Sequence, residues 1–102
     1  NFIDKKRKLA DLYGDFFKGV DYKFVKEPVE SNSNYWLNSI IFNDKQQRDI
    51  FLNESNAQGI MTRPIWTLMN KLPMFKDVQC GDLINSEWLE DRVVNIPSSV
   101  IL

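Results

Sequence analysis

Residues 35–42, the run Tyr-Trp-Leu-Asn-Ser-Ile-Ile-Phe, constrain the fold more than any other segment. β-Branched and aromatic side chains of this kind favour a strand. Apolar residues fall on both of its faces, the pattern of a strand covered on two sides. Only Asn38 and Ser39 interrupt the run, in its middle. Such a strand calls for a sheet with helices packed on it, and the flanking segments supply both.

Leu9, Leu12, Tyr13 and Phe16 recur at helical spacing and predict a helix over residues 2–18, with Gly19 as its stop. The pattern is already running at Phe2, so the helix is expected to continue one from a longer chain. The basic run Lys5, Lys6, Arg7 and Lys8 reads as its solvated face. Tyr22, Phe24 and Val25 predict a short strand closed by Pro28, and residues 31–34 form a polar turn. Asn43 followed by Gln46 has the form of a capping box. It opens a helix that turns Ile50, Phe51 and Ala57 inward and stops at Gly59. Residues 60–63 predict a short strand, with Arg63 held extended by Pro64. Residues 66–70 read as a helical turn and 73–81 as a loop. Asp82 caps a last helix carrying Ile84, Trp88 and Leu89, and residues 93–96 form a final strand ended by Pro97. The expected fold class is α+β: a short sheet of three to four strands with helices packed on it, in a single domain over residues 1–102.

Much chemistry is excluded. The chain has no histidine and one cysteine, Cys80. Common zinc patterns, a Ser–His–Asp triad, a Cys–His nucleophile and an intramolecular disulfide are therefore ruled out. A single thiol fits a reducing compartment. The glycines are isolated, so no glycine-rich phosphate loop exists. A net charge of -1 argues against a nucleic-acid partner, which would require a clustered basic face. No apolar run approaches the roughly 20 residues of a membrane span. Glu87, Glu90 and Asp91 share one helix and read as a solvated face. The nine lysines fall mostly on helix faces and loops. None sits in the apolar context that activates an amine for Schiff-base chemistry. No catalytic, cofactor-binding or metal-binding residue is assigned.

Two segments combine aromatic and polar groups: Asn34-Tyr35-Trp36-Leu37-Asn38 and Thr62-Arg63-Pro64-Ile65-Trp66-Thr67. A guanidinium fork suits a phosphate, and an indole face suits a base or sugar ring. The same residues also fit a plainer role, with Arg63 in a surface ion pair and Trp36 and Trp66 in the core.

The run from Met61 to Phe75, Met-Thr-Arg-Pro-Ile-Trp-Thr-Leu-Met-Asn-Lys-Leu-Pro-Met-Phe, resembles the C-terminal domain of the DegT/DnrJ/EryC1/StrS sugar aminotransferases. Three further segments agree in order. They are Lys5-Lys6-Arg7, Ser33-Asn34-Tyr35-Trp36-Leu37-Asn38, and Glu87-Trp88-Leu89 with Asn95-Ile96-Pro97-Ser98-Ser99. The resemblance is closest to the branch that aminates UDP-4-keto amino sugars on routes to bacillosamine and legionaminic acid. It implies the small domain of a fold-type I enzyme dependent on pyridoxal phosphate (PLP), working as a cytoplasmic homodimer. Glutamate would donate the amino group and a nucleotide-linked keto sugar would receive it. The Schiff-base lysine and the PLP site would lie in a large N-terminal domain that this sequence does not match. PLP would thus belong to the parent enzyme and not be held by this chain, which alone would be inactive. The resemblance makes Arg63 a substrate or diphosphate contact and places Trp36 and Asn70 at the sugar site, where relatives often carry histidines. The competing expectation is a free-standing ligand- or protein-binding module of the same fold.

Overall fold

The structure, a computed structural model, describes residues 1–101. Helix α1 spans Phe2–Phe16 and runs on into a 3-10 turn at Phe17–Gly19. Strand β1 (Lys23–Phe24) and strand β2 (Asn38–Ile41) follow. Helix α2 (Lys45–Ala57) leads to β3 (Arg63–Pro64), and α3 (Ile84–Arg92) leads directly into β4 (Val93–Ile96). Single 3-10 turns at Met69–Lys71 and Pro73–Phe75 bridge β3 and α3. The strands form one antiparallel four-stranded sheet in the order β1-β2-β4-β3. This is the expected α+β architecture.

The register places Phe24, Ile40 and Val94 in one row across the sheet, with Asn38 opposite Ile96. Partners across a ladder share a face. That face, with Ala10 of α1 and Phe42 just beyond β2, is the core. Phe42 lies 4.4 Å from the Tyr22 ring and 5.0 Å from that of Phe51, which docks α2. The other face of β2 carries Ser39 and Ile41, which are only half-buried. The expected cover on both faces is therefore incomplete.

Helix α1 is rotated from its expected orientation. Leu12 and Phe16 are exposed, while Lys6, Ala10 and Gly14 are buried. The small residues let helix and sheet approach closely, and a Cβ on Gly14 would meet Lys26 at 3.2 Å. Lys6 and Arg7 accordingly leave the solvated face assigned to the basic run.

Other boundaries also move. Residues 35–37 do not join β2. Tyr35 N–H donates to Ser33 Oγ and Trp36 N–H to Asn34 Oδ1, each at 3.0 Å. These local side-chain bonds compete with the ladder, and Tyr35 adopts a left-handed φ of 46°. The cap of α2 is Asp44, whose carboxylate accepts from Gln47 N–H at 2.8 Å, in place of Asn43. Along α2, Phe51 faces inward as expected and is joined by Ser55, whereas Ile50 and Ala57 are exposed. In α3 no residue is buried, and Trp88 stays 48% exposed. Asp82 accepts from Ile84 N–H, one residue ahead of the cap position.

Candidate functional site

The end of α2 prepares Arg63. Gly59 has φ 80°, and Gly59 and Ile60 N–H return to the carbonyls of Asn56 and Ser55. This paired closure is the Schellman stop, which needs a left-handed residue. It folds the chain back so that Thr62 packs against the helix it has just left. Thr62 is 1% exposed, and its hydroxyl meets Ser55 Oγ at 2.6 Å and Asn56 Nδ2 at 3.0 Å. Asn56 Oδ1 then accepts from Arg63 Nη1 at 2.9 Å, and the Thr62 carbonyl accepts from the same nitrogen at 2.8 Å. One nitrogen of the fork is thus fixed by neutral oxygens. Among the described residues no carboxylate pairs with Arg63. The ion-pair role is overturned: the guanidinium's partners are neutral oxygens.

Pro64 suits the place that follows. It donates no ladder hydrogen bond, and β3 is an edge strand, where that costs nothing. Ile65 N–H resumes pairing with the Val93 carbonyl at 3.1 Å, which sends Trp66 out beyond the sheet edge.

Trp36 is set by the turn before β2. Arg7 forms a two-pronged ion pair with Glu27, at 2.6 and 2.9 Å, and also donates to the Ser33 carbonyl. Glu27 accepts in turn from Ser33 N–H at 2.8 Å, and the Tyr35 hydroxyl accepts from Glu27 N–H. The Arg7 fork, then the Ser33 amide, hold the Glu27 carboxyl down to about 2. This clasp ties the 27–35 loop to α1 and presents Trp36 outward, 67% exposed.

Trp36, Arg63 and Trp66 line one groove of about 740 Å³, together with Met61 and the 95–99 segment. That is within the size range of small-molecule clefts. Trp66 is also 67% exposed, so neither indole is core and that alternative is overturned too. Among the described residues the groove's charged lining is Lys6 and Arg63, with no acidic residue. Sequence reasoning missed Lys6. The signal was the four-residue spacing of Lys6 from Ala10 and Gly14, the small residues that mark the buried side of α1.

Asn70 is not brought to the groove. It sits in the 3-10 turn Met69–Lys71, which Glu90 clamps by pairing with Lys71 and accepting from Leu68 N–H at 2.7 Å. These contacts, Lys71 first, hold the Glu90 carboxyl below the usual range. The buried Asn70 Oδ1 accepts no hydrogen bond among the described residues.

The sequence profile of the DegT/DnrJ/EryC1/StrS aminotransferase family matches residues 1–102. The chain is 29% identical over 98 residues to GDP-perosamine synthase of Escherichia coli O157:H7, covering 96% of this chain and 26% of that protein. Its fold superposes on the aminotransferase TlmJ from Streptoalloteichus hindustanus with a TM-score of 0.82 at 17% identity, covering 94% of this chain and 26% of the other. It also superposes on E. coli GDP-4-keto-6-deoxy-D-mannose-3-dehydratase, solved with bound hydrated PLP. There the TM-score is 0.73 at 23% identity, over 95% of this chain and 26% of the other. The chain thus spans about a quarter of the length of these relatives.

Proposed function

Because the chain belongs to the DegT/DnrJ/EryC1/StrS aminotransferase family, we propose that it forms the C-terminal domain of a PLP-dependent sugar aminotransferase, and that its groove holds part of the nucleotide-sugar substrate. The observation that carries this reading is the groove itself. Among the described residues, a guanidinium without a carboxylate partner and two exposed indoles line a cleft that contains no acid. A fork of donors suits a phosphate, and flat apolar faces suit a base or a sugar ring.

In the parent enzyme glutamate is the amino donor and a UDP-linked 4-keto sugar the acceptor. The order of motifs supports the branch leading to bacillosamine and legionaminic acid. The similarity to a GDP-perosamine synthase makes GDP-linked sugars the comparison to run alongside. A cytoplasmic homodimer is the assembly we expect. The large domain that completes the enzyme would cover apolar surface such as Met69, Met74, Ile84 and Trp88, all at least 48% exposed here.

PLP supplies the electron sink for amino transfer. The groove's residues do not form a site for it. Lys6, which lines the groove, already donates to two carbonyls, and among the described residues no lining carboxylate is present to hold a pyridinium nitrogen. Binding and orienting the sugar nucleotide is the part of the reaction we give to this chain.

The test is an assay of the complete gene product with PLP, glutamate and either UDP- or GDP-linked 4-keto sugar. Arg63→Gln should lower kcat/KM by roughly tenfold or more, mainly through KM, because a charge-assisted hydrogen bond is lost. An unchanged KM removes Arg63 from the substrate. A reading frame that encodes no large domain removes the enzyme and leaves a binding module.

A further inference from the structure

Lys6 is only 8% exposed, yet no carboxylate pairs with it among the described residues. Its ammonium donates to the backbone carbonyls of Trp36, at 3.4 Å, and Ser98. The Phe2 ring lies 5.7 Å away. Neutral carbonyls orient a cation but do not cancel its charge. A buried charge without a counter-charge is costly, and an apolar side chain of the same length would fill the space more cheaply. An ammonium carries three protons, and two of them have carbonyl acceptors. The same side chain lines the groove, where the other charged residue is Arg63.

We infer that Lys6 is the second oxyanion contact of the groove and, with Arg63, binds the diphosphate of a nucleoside-diphosphate ligand. This rests on the groove being the nucleotide-sugar site. The missing counter-charge of Lys6 is then the ligand itself. The two cations divide the work by geometry. Arg63 offers a planar fork at the β3 edge, and Lys6 offers a point charge from α1. The indoles of Trp36 and Trp66 flank them and take the apolar parts of the ligand.

The experiment is calorimetric titration of the purified chain with UDP, GDP, uridine and inorganic pyrophosphate, for wild type, Lys6→Met and Arg63→Gln. Lys6→Met should weaken UDP, GDP and pyrophosphate by about tenfold or more, the loss of one charge-assisted hydrogen bond. Uridine should be unaffected. The thermal midpoint should not fall, because the substitution exchanges a buried ammonium for an apolar chain of similar length. If Lys6→Met does not fold, Lys6→Gln makes the same comparison. Unchanged UDP affinity in a folded Lys6 variant, with Arg63→Gln weakened, overturns the role of Lys6 and leaves the groove reading standing. Equal losses for uridine and UDP make Lys6 structural and also overturn it. Wild type that binds none of the four overturns the groove reading, and Lys6 with it.

Discussion

At the residue scale, the groove was half legible in the sequence. Arg63, held extended before Pro64, and Trp36, set among polar residues in the 34–38 segment, marked themselves in the sequence. The structure brings those two together and leaves Asn70 outside the groove. Lys6 left only its four-residue spacing with Ala10 and Gly14 as a trace, and Glu27 left none, because each takes its meaning from a partner about twenty or more residues away. Glu27 makes a measurable prediction. Its carboxyl is held at about 2, against an ordinary 4.5, by Arg7 and then by Ser33 N–H. A depressed carboxyl stabilises the fold fully above its ordinary value and loses that contribution as pH falls through its folded value. Glu27→Gln should therefore be less stable than wild type at neutral pH. The difference should close as pH drops from 4.5 through about 2. Urea midpoints for both proteins across that range check it. A difference independent of pH would mean the carboxylate charge is not what holds the 27–35 loop.

At the element scale, the existence of helices and strands followed from periodicity, and their ends did not. Strand β4 lies where Val93, Val94 and Ile96 predicted it, because all three are buried in a strand paired on both sides. Strand β2 lost its first residues to bonds from Ser33 and Asn34 side chains, which hydrophobic patterning does not register. Helix α1 turned its small residues inward, since close approach to the sheet favoured Ala10 and Gly14 over the larger Leu12 and Phe16. The stop of α2 tests how firmly such ends are set. Gly59→Ala places a side chain at φ 80°, where an L-residue is strained by roughly 1 kcal/mol. The fall in denaturation free energy should match. It should be accompanied by weaker ligand binding, because the Asn56–Arg63 contact depends on that turn. Asp44→Ala removes the cap at the other end of α2, for about 1 kcal/mol. Its loss should leave ligand binding unchanged, since Asp44 lies far along the helix from Arg63.

At the scale of the whole molecule, the α+β class and the single sheet followed from the order of predicted elements, and the strand order β1-β2-β4-β3 did not. Long-range pairing between β2 and β4 joins segments more than fifty residues apart, and local pattern says nothing of it. What that pairing achieves is the groove. It sets the end of β4 between the Trp36 turn and the β3 edge, so that residues from four separate segments face one cleft. The chain is about a quarter the length of its relatives and leaves Met69, Met74, Ile84 and Trp88 exposed. The groove itself, however, is lined by residues of this chain. The three tryptophans report on it, because Trp36 and Trp66 line the groove and Trp88 does not. The deciding measurement is an amide-and-indole NMR titration of the chain with UDP-N-acetylglucosamine. The indole signals of Trp36 and Trp66 should move together with the Arg63 side chain while Trp88 stays in place. Binding that moves Trp88 alone, or leaves all three indoles unmoved, would contradict the account.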